Sequence, residues 1–215
     1  MKPYRPLDHL LAEHLGWPKA CAPLLRLGLK FTGWWALYQK LEQSLHEGGP
    51  WAEWFSHIAV YVEGLEELPS EGGYSLVANH PLGFIDGWAL GVALEDHMDR
   101  VAFFAHPILA EFPALEARTL PMKPGSESAA KEARTSMRNA AEHLADGGIL
   151  IRFESQKPTV AASRSHQMLR AEITPIWAEG QASTKMGTWW TWLWMPKRLV
   201  HLHVLKVRFT SDYQV

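Results

Sequence analysis

The stretch Asn79-His80-Pro81-Leu82-Gly83-Phe84-Ile85-Asp86 holds the residue types best suited to chemistry. His80 and Asp86 are separated by five residues, and Pro81 and Gly83 among them permit a tight turn that folds the carboxylate back on the imidazole. A carboxylate on one ring nitrogen fixes the tautomer and stabilises the imidazolium. The other nitrogen can then take a proton from a hydroxyl or an amine. This is the His–Asp half of a Ser-His-Asp arrangement, with the substrate supplying the nucleophile. A His–Asp pair at this spacing can also be purely structural. His201 and His203 share one face of a strand-like run, a spacing a metal could use, but no third ligand lies nearby and no metal site is expected. Cys21 has no partner motif and reads as an inert thiol.

The elements that must hold these residues are legible from periodicity. Ile58–Val62 and Tyr74–Ala78 are short β-prone runs separated by the turn-rich Leu68-Pro-Ser-Glu-Gly-Gly73. His80 therefore follows a buried strand directly, in the kind of loop where open α/β sheets gather their active sites. Asp86–Leu94 reads as a helix, with Asp86 able to cap or charge-complement its N-terminus. Val101–Ala105 is a further strand, and Ser128–Ala145 a long helix closed by Asp146-Gly-Gly148. Strands follow at Ile149–Phe153, Glu172–Trp177 and His201–Phe209. Strands alternating with helices predict an α/β fold, a mostly parallel sheet flanked by helices. Before it, Leu27, Phe31, Trp34, Tyr38, Leu41 and Leu45 recur at helical spacing and predict an amphipathic helix stopped by Gly48-Gly-Pro50. Residues 1–50 are thus an N-terminal helical segment and 51–215 the α/β domain.

Composition excludes several classes of function. With 47% apolar and 20% charged residues the chain is not disordered. A formal charge of −2 gives no general attraction to nucleic acid, and no nucleic-acid partner is expected. One cysteine permits no internal disulfide and suits a reducing compartment. No span is apolar enough for a transmembrane helix: Leu24–Leu45 is interrupted by Arg26, Lys30, Lys40 and Glu42. The first residues lack an uninterrupted secretory core, so a cytoplasmic protein is expected. Eleven tryptophans are the oddity. They suit surfaces that are half apolar and half wet, or else a tryptophan-rich core. Residues 181–208 interleave Trp189, Trp190, Trp192 and Trp194 with Lys185, Lys197, Arg198, Lys206 and Arg208 and contain no acid. Up to residue 46 there are six Lys/Arg against three acids. Both stretches suit peripheral contact with the anionic inner face of the cell membrane. The stripe of the N-terminal helix could instead cover the domain's own core, and the tryptophans could line an acyl groove.

Residues 78–87, Ala78-Asn-His-Pro-Leu-Gly-Phe-Ile-Asp-Gly87, resemble the first motif of the lysophospholipid acyltransferase superfamily of glycerolipid synthesis. They are most like its bacterial branch of hemolysin-like proteins and ornithine-lipid N-acyltransferases, with Asn-His-Pro-x-Gly-x-x-Asp-Gly. The glycerophosphate branch has four residues between His and Asp where this chain has five, which counts against glycerol 3-phosphate as acceptor. Val101 to Lys123 resembles the second block, with Lys123 in the place of a phosphate-contacting arginine. Gly147-Gly-Ile-Leu-Ile-Arg-Phe-Glu-Ser155 resembles the third, usually Phe-Pro-Glu-Gly-Thr-Arg. There Glu154 matches the family glutamate, while Arg152 and Phe153 replace Phe-Pro. Ile173–Gly180 and Val204–Thr210 resemble the closing blocks.

The resemblance implies an acyltransferase-like domain over 51–215. It would move a fatty acyl group from a thioester, on acyl carrier protein or coenzyme A, to a hydroxyl or amine of a lipid or lipid precursor. His80 would be the general base, Asp86 its orienter, and backbone N–H groups near Gly83 or a later loop the oxyanion donors. Asn79, Gly83, Lys123, Arg152 and Glu154 would bind substrate, although Arg152 and Glu154 could equally form an ion pair. No bound cofactor is implied beyond the acyl-thioester co-substrate. A thioesterase using the same pair on water, and a lipid-binding protein with a degenerate site, are the alternatives.

Overall fold

The strands form where apolar runs are bounded by turns. In the computed structural model, β1 is Ala59–Glu63, β2 Tyr74–Ala78, β3 Val101–Ala105, β4 Thr119–Pro121, β5 Ile149–Phe153, β6 Gln167–Trp177 and β7 Leu202–Thr210. The helices are α1 (Ala22–Thr32), α2 (Phe84–Ala93), the single turn α3 (Pro113–Glu116) and α4 (Glu127–Ala145). The structure describes residues 22–33, 57–111, 113–122, 127–153, 167–177 and 202–210, with Pro18, Trp35, Ala36, Gln39 and Phe55.

All seven strands join one sheet in the order β1-β7-β6-β2-β5-β3-β4. From β6 to β4 every neighbouring pair is parallel. β7 runs antiparallel to β6, and β1 runs parallel to β7. The expected mostly parallel α/β sheet is therefore what forms. Every residue of β2 is buried, as a central parallel strand covered on both faces requires. On one face α2 packs with Tyr74, Leu76, Ala78, Ile149 and Ile151 into the main core. On the other, α4 contributes Ala140 and Leu144 to a smaller core with Ala102, Phe104, Leu120 and Leu150.

Several boundaries differ from those expected. β6 begins at Gln167, five residues earlier than expected, because Leu169 and Ala171 alternate into the core beside β2. Pairing there overrides the low β-propensity of Gln167-Met-Leu-Arg-Ala171. α2 starts at Phe84, with Gly83 as its N-cap, so Asp86 lies in the first turn and is not the cap itself. The single helix expected over Leu27–Leu45 is also corrected. α1 ends at Thr32, where Gly33 takes φ 87, the left-handed conformation that closes helices, before Trp35, Ala36 and Gln39 are helical again. The Arg26 guanidinium lies 5.0 Å from the Trp35 ring centroid across that break. Leu27 and Phe31 of the stripe are 65% and 74% exposed, so these two do not cover the core. Residues 41–45 of the stripe and 178–200, with their tryptophans, lie outside the described residues, whereas Trp88 and Trp177 are buried.

The edge of the sheet where β2 and β5 begin is held by one side chain. Arg100 donates from Nε and Nη2 to the Gly147 carbonyl, from Nη2 to Gly72 O at 2.8 Å and from Nη1 to Ser70 O. Gly73 lets this turn press against α4, since a Cβ there would collide with the Leu144 carbonyl.

Candidate active site

β2 delivers the site. Beyond Ala78 the ladder hydrogen bonds to β6 would end, but Asn79 extends them with its side chain. Its Nδ2 donates to Ile173 O at 2.9 Å, and its Oδ1 accepts from Ile173 N at 2.6 Å. The carboxamide thus imitates a peptide unit and anchors the main chain one residue before His80. The turn that follows depends on Gly83, whose φ of 69 with ψ of −127 is accessible only to glycine at low cost.

The turn brings Asp86 back to His80. His80 Nδ1 lies 3.2 Å from Asp86 Oδ2, the ring 35% exposed and the carboxylate 0% exposed. The same Oδ2 accepts from the Leu82 N–H at 2.7 Å. Asp86 reaches backwards from the first turn of α2, as an acidic residue does in a capping box. Its Oδ1 makes no hydrogen bond of good geometry among the described residues. Burial pushes the Asp86 carboxyl above the usual carboxylate range, opposed by the hydrogen bonds from His80 and the Leu82 N–H. A carboxylate accepts only, so in the neutral ring paired with it Nδ1 carries the proton and Nε2 is left with its lone pair. One face of the imidazole lies against Phe153, with ring centroids 4.1 Å apart and planes at 32°.

Of the residues expected in the site, the structure brings together Asn79, His80, Gly83 and Asp86. It also brings in Phe153 and the Leu82 N–H, for which no role was expected. The signal for Phe153 lay in register, since Phe153 stands opposite Ala78 on the adjacent strand. Arg152, by alternation along β5, shares the parity of Leu150 and so faces the α4 side, away from His80. It is 5% exposed, its Nη2 is 3.5 Å from Met168 Sδ, and its Nε has no partner among the described residues. Lys123 and Glu154 lie outside the described residues, as do His201 and the side chain of His203. Among the described residues no three His, Cys, Asp or Glu gather as metal ligands.

Two curated proteins share part of this sequence. The lyso-glycine lipid O-acyltransferase of Bacteroides thetaiotaomicron is 41% identical over 69 residues, which are 32% of this chain and 25% of that protein. The enzyme of the same name from Phocaeicola vulgatus is 38% identical over 76 residues, 34% of this chain and 27% of that protein. The likeness is to O-acyltransferases that act on a lyso-lipid. The match spans about a quarter of the length of each of these acyltransferases. Among solved structures, the 1-acyl-sn-glycerophosphate acyltransferase of Thermotoga maritima is similar with a TM-score of 0.46 and 16% identity, over 87% of this chain and 83% of that one. No family model matches the chain.

Proposed function

We propose that this chain transfers a fatty acyl group from an acyl thioester, carried by acyl carrier protein or coenzyme A, to a lipid acceptor. The observation that carries the reading is the His80–Asp86 pair, 3.2 Å apart in the loop that leaves the central strand. Nε2 of His80 takes the proton of the acceptor group as that group attacks the thioester carbonyl. Collapse of the tetrahedral intermediate breaks the C–S bond, and the proton passes from Nε2 to the departing thiolate. Asp86 holds the ring and balances the charge that forms on it. The activity for which the two relatives are named, O-acylation of a lyso-lipid, favours a hydroxyl over an amine as the acceptor group.

A lipid acceptor must be reached at a surface. α1 exposes Leu24, Leu27 and Phe31 beside the basic Arg26 and Lys30, which supports peripheral membrane contact on anionic lipid. Among the described residues no helix is long and apolar enough to cross a membrane.

The test is acyl transfer to a lyso-lipid, followed by mass spectrometry, with wild type and His80→Ala. Loss of the base lowers the rate by about 10²-fold or more without unfolding the protein. A folded His80→Ala protein with full transferase activity refutes the reading. Thioester consumption that needs no acceptor assigns the site to hydrolysis instead.

A further inference from the structure

We infer that Phe153 is a positioning residue for His80, holding the imidazole plane in the direction that Asp86 leaves free. The inference rests on the reading of His80 as the general base.

The rings of His80 and Phe153 are in tilted contact, 4.1 Å between centroids and 32° between planes. Phe153 also approaches the first turn of α2, where a Cβ at Gly87 would stand 3.9 Å from its Cζ. The phenyl ring therefore lies close to both ends of the loop that joins His80 to Asp86. It is itself packed against the main core and is delivered by the last residue of β5, opposite Ala78. This contact joins two segments that are remote in sequence.

The imidazole needs such a contact. Its bond to Asp86 is at the long end for a hydrogen bond, and the side chain is 35% exposed. A single bond at Nδ1 fixes one point of the ring and allows it to tilt about that point. Tilting displaces Nε2, the atom that must meet the acceptor proton, and small displacements of a reacting atom lower rates steeply. A flat apolar surface against one face of the ring opposes that tilt. An aromatic face is also electron-rich, so positive charge arising on the imidazole as Nε2 gains its proton falls beside favourable density. Neither effect requires Phe153 to touch substrate.

Phe153→Leu keeps apolar bulk and removes the flat ring, while Phe153→Tyr keeps the ring. Phe153→Leu is expected to lower kcat about tenfold with KM nearly unchanged, and Phe153→Tyr to restore most of the loss. Nuclear magnetic resonance gives a readout independent of turnover. In the wild type the His80 ring protons are shifted by the phenyl ring current and show cross-relaxation with Phe153. In Phe153→Leu that shift disappears while the remaining spectrum is preserved. An unchanged kcat in Phe153→Leu, or no cross-relaxation between the two rings in the wild type, overturns the inference, and the second result is decisive even if Phe153→Leu does not fold. An active His80→Ala protein removes the general-base reading itself. An inactive His80→Ala protein beside a fully active Phe153→Leu protein overturns the positioning role alone.

Discussion

Asp86 carries a charge where the fold tolerates it poorly. It is fully buried, one oxygen lacks a well-formed hydrogen bond among the described residues, and burial raises its pKa. A folded-state pKa above the unfolded one means that the folded state binds the proton more tightly, so this group's contribution falls as pH rises through that interval. Above the interval the whole penalty is present, and below it none. Asp86→Asn removes the penalty and keeps the shape. The variant should melt at a higher temperature than wild type at pH 7–8, with the difference shrinking as both proteins are taken down through the carboxylate range. With His80 as the proposed base, its transferase activity should fall by no more than that of His80→Ala, because the imidazole remains but is misoriented. Paired melting curves and rates check both halves, and comparing the two proteins at each pH cancels other groups such as Glu63, whose carboxyl Lys206 and Arg208 hold below its usual range. The pair itself was legible, because its spacing and the turn residues between its members are local. The surroundings of Asn79 and Arg152 were not. The partner of Asn79 is 94 residues away, and the face that Arg152 occupies depends on the exact register of β5.

At the level of elements, β2, β3 and β5 have the limits that the sequence suggests, because each is a short apolar run entered from a turn or helix end. β6 is longer than its β-prone run because its first half is held by its neighbours. The join between β2 and β6 ends in the Asn79 carboxamide. Replacing Asn79 with alanine strands both the N–H and the carbonyl of Ile173 in a partly buried place. The expected loss is about 1–3 kcal/mol, read as a lower denaturant midpoint with an unchanged slope. Because the lost anchor lies next to His80, the folded variant should also turn over more slowly. A variant as stable as wild type would show that water or another group takes over both positions.

For the whole molecule, the exposed apolar positions of α1 carry a prediction. Leu27→Ser with Phe31→Ser should weaken binding to anionic vesicles, measured by cosedimentation, and leave the melting temperature within about 2 °C of wild type, since exposed positions contribute little to the core. Raised salt should weaken wild-type binding too, because charge attraction is screened within about 10 Å at 0.1 M. The exposed face of α1 was only partly legible, since Gly33 interrupts a periodicity that looks continuous in sequence. The strand order has a further effect, on the chain's assembly as it leaves the ribosome. Both neighbours of β2 come later in sequence, at Ile149–Phe153 and Gln167–Trp177, and β1 waits for Leu202–Thr210. This fully buried strand therefore emerges long before both of its edges can be covered, and contacts this remote form slowly. Until some 90 further residues have been synthesised, at least one edge of Tyr74–Ala78 stays open and able to pair with a neighbouring nascent chain. Nascent chains stalled before residue 167 should therefore depend on chaperones far more than the finished protein does.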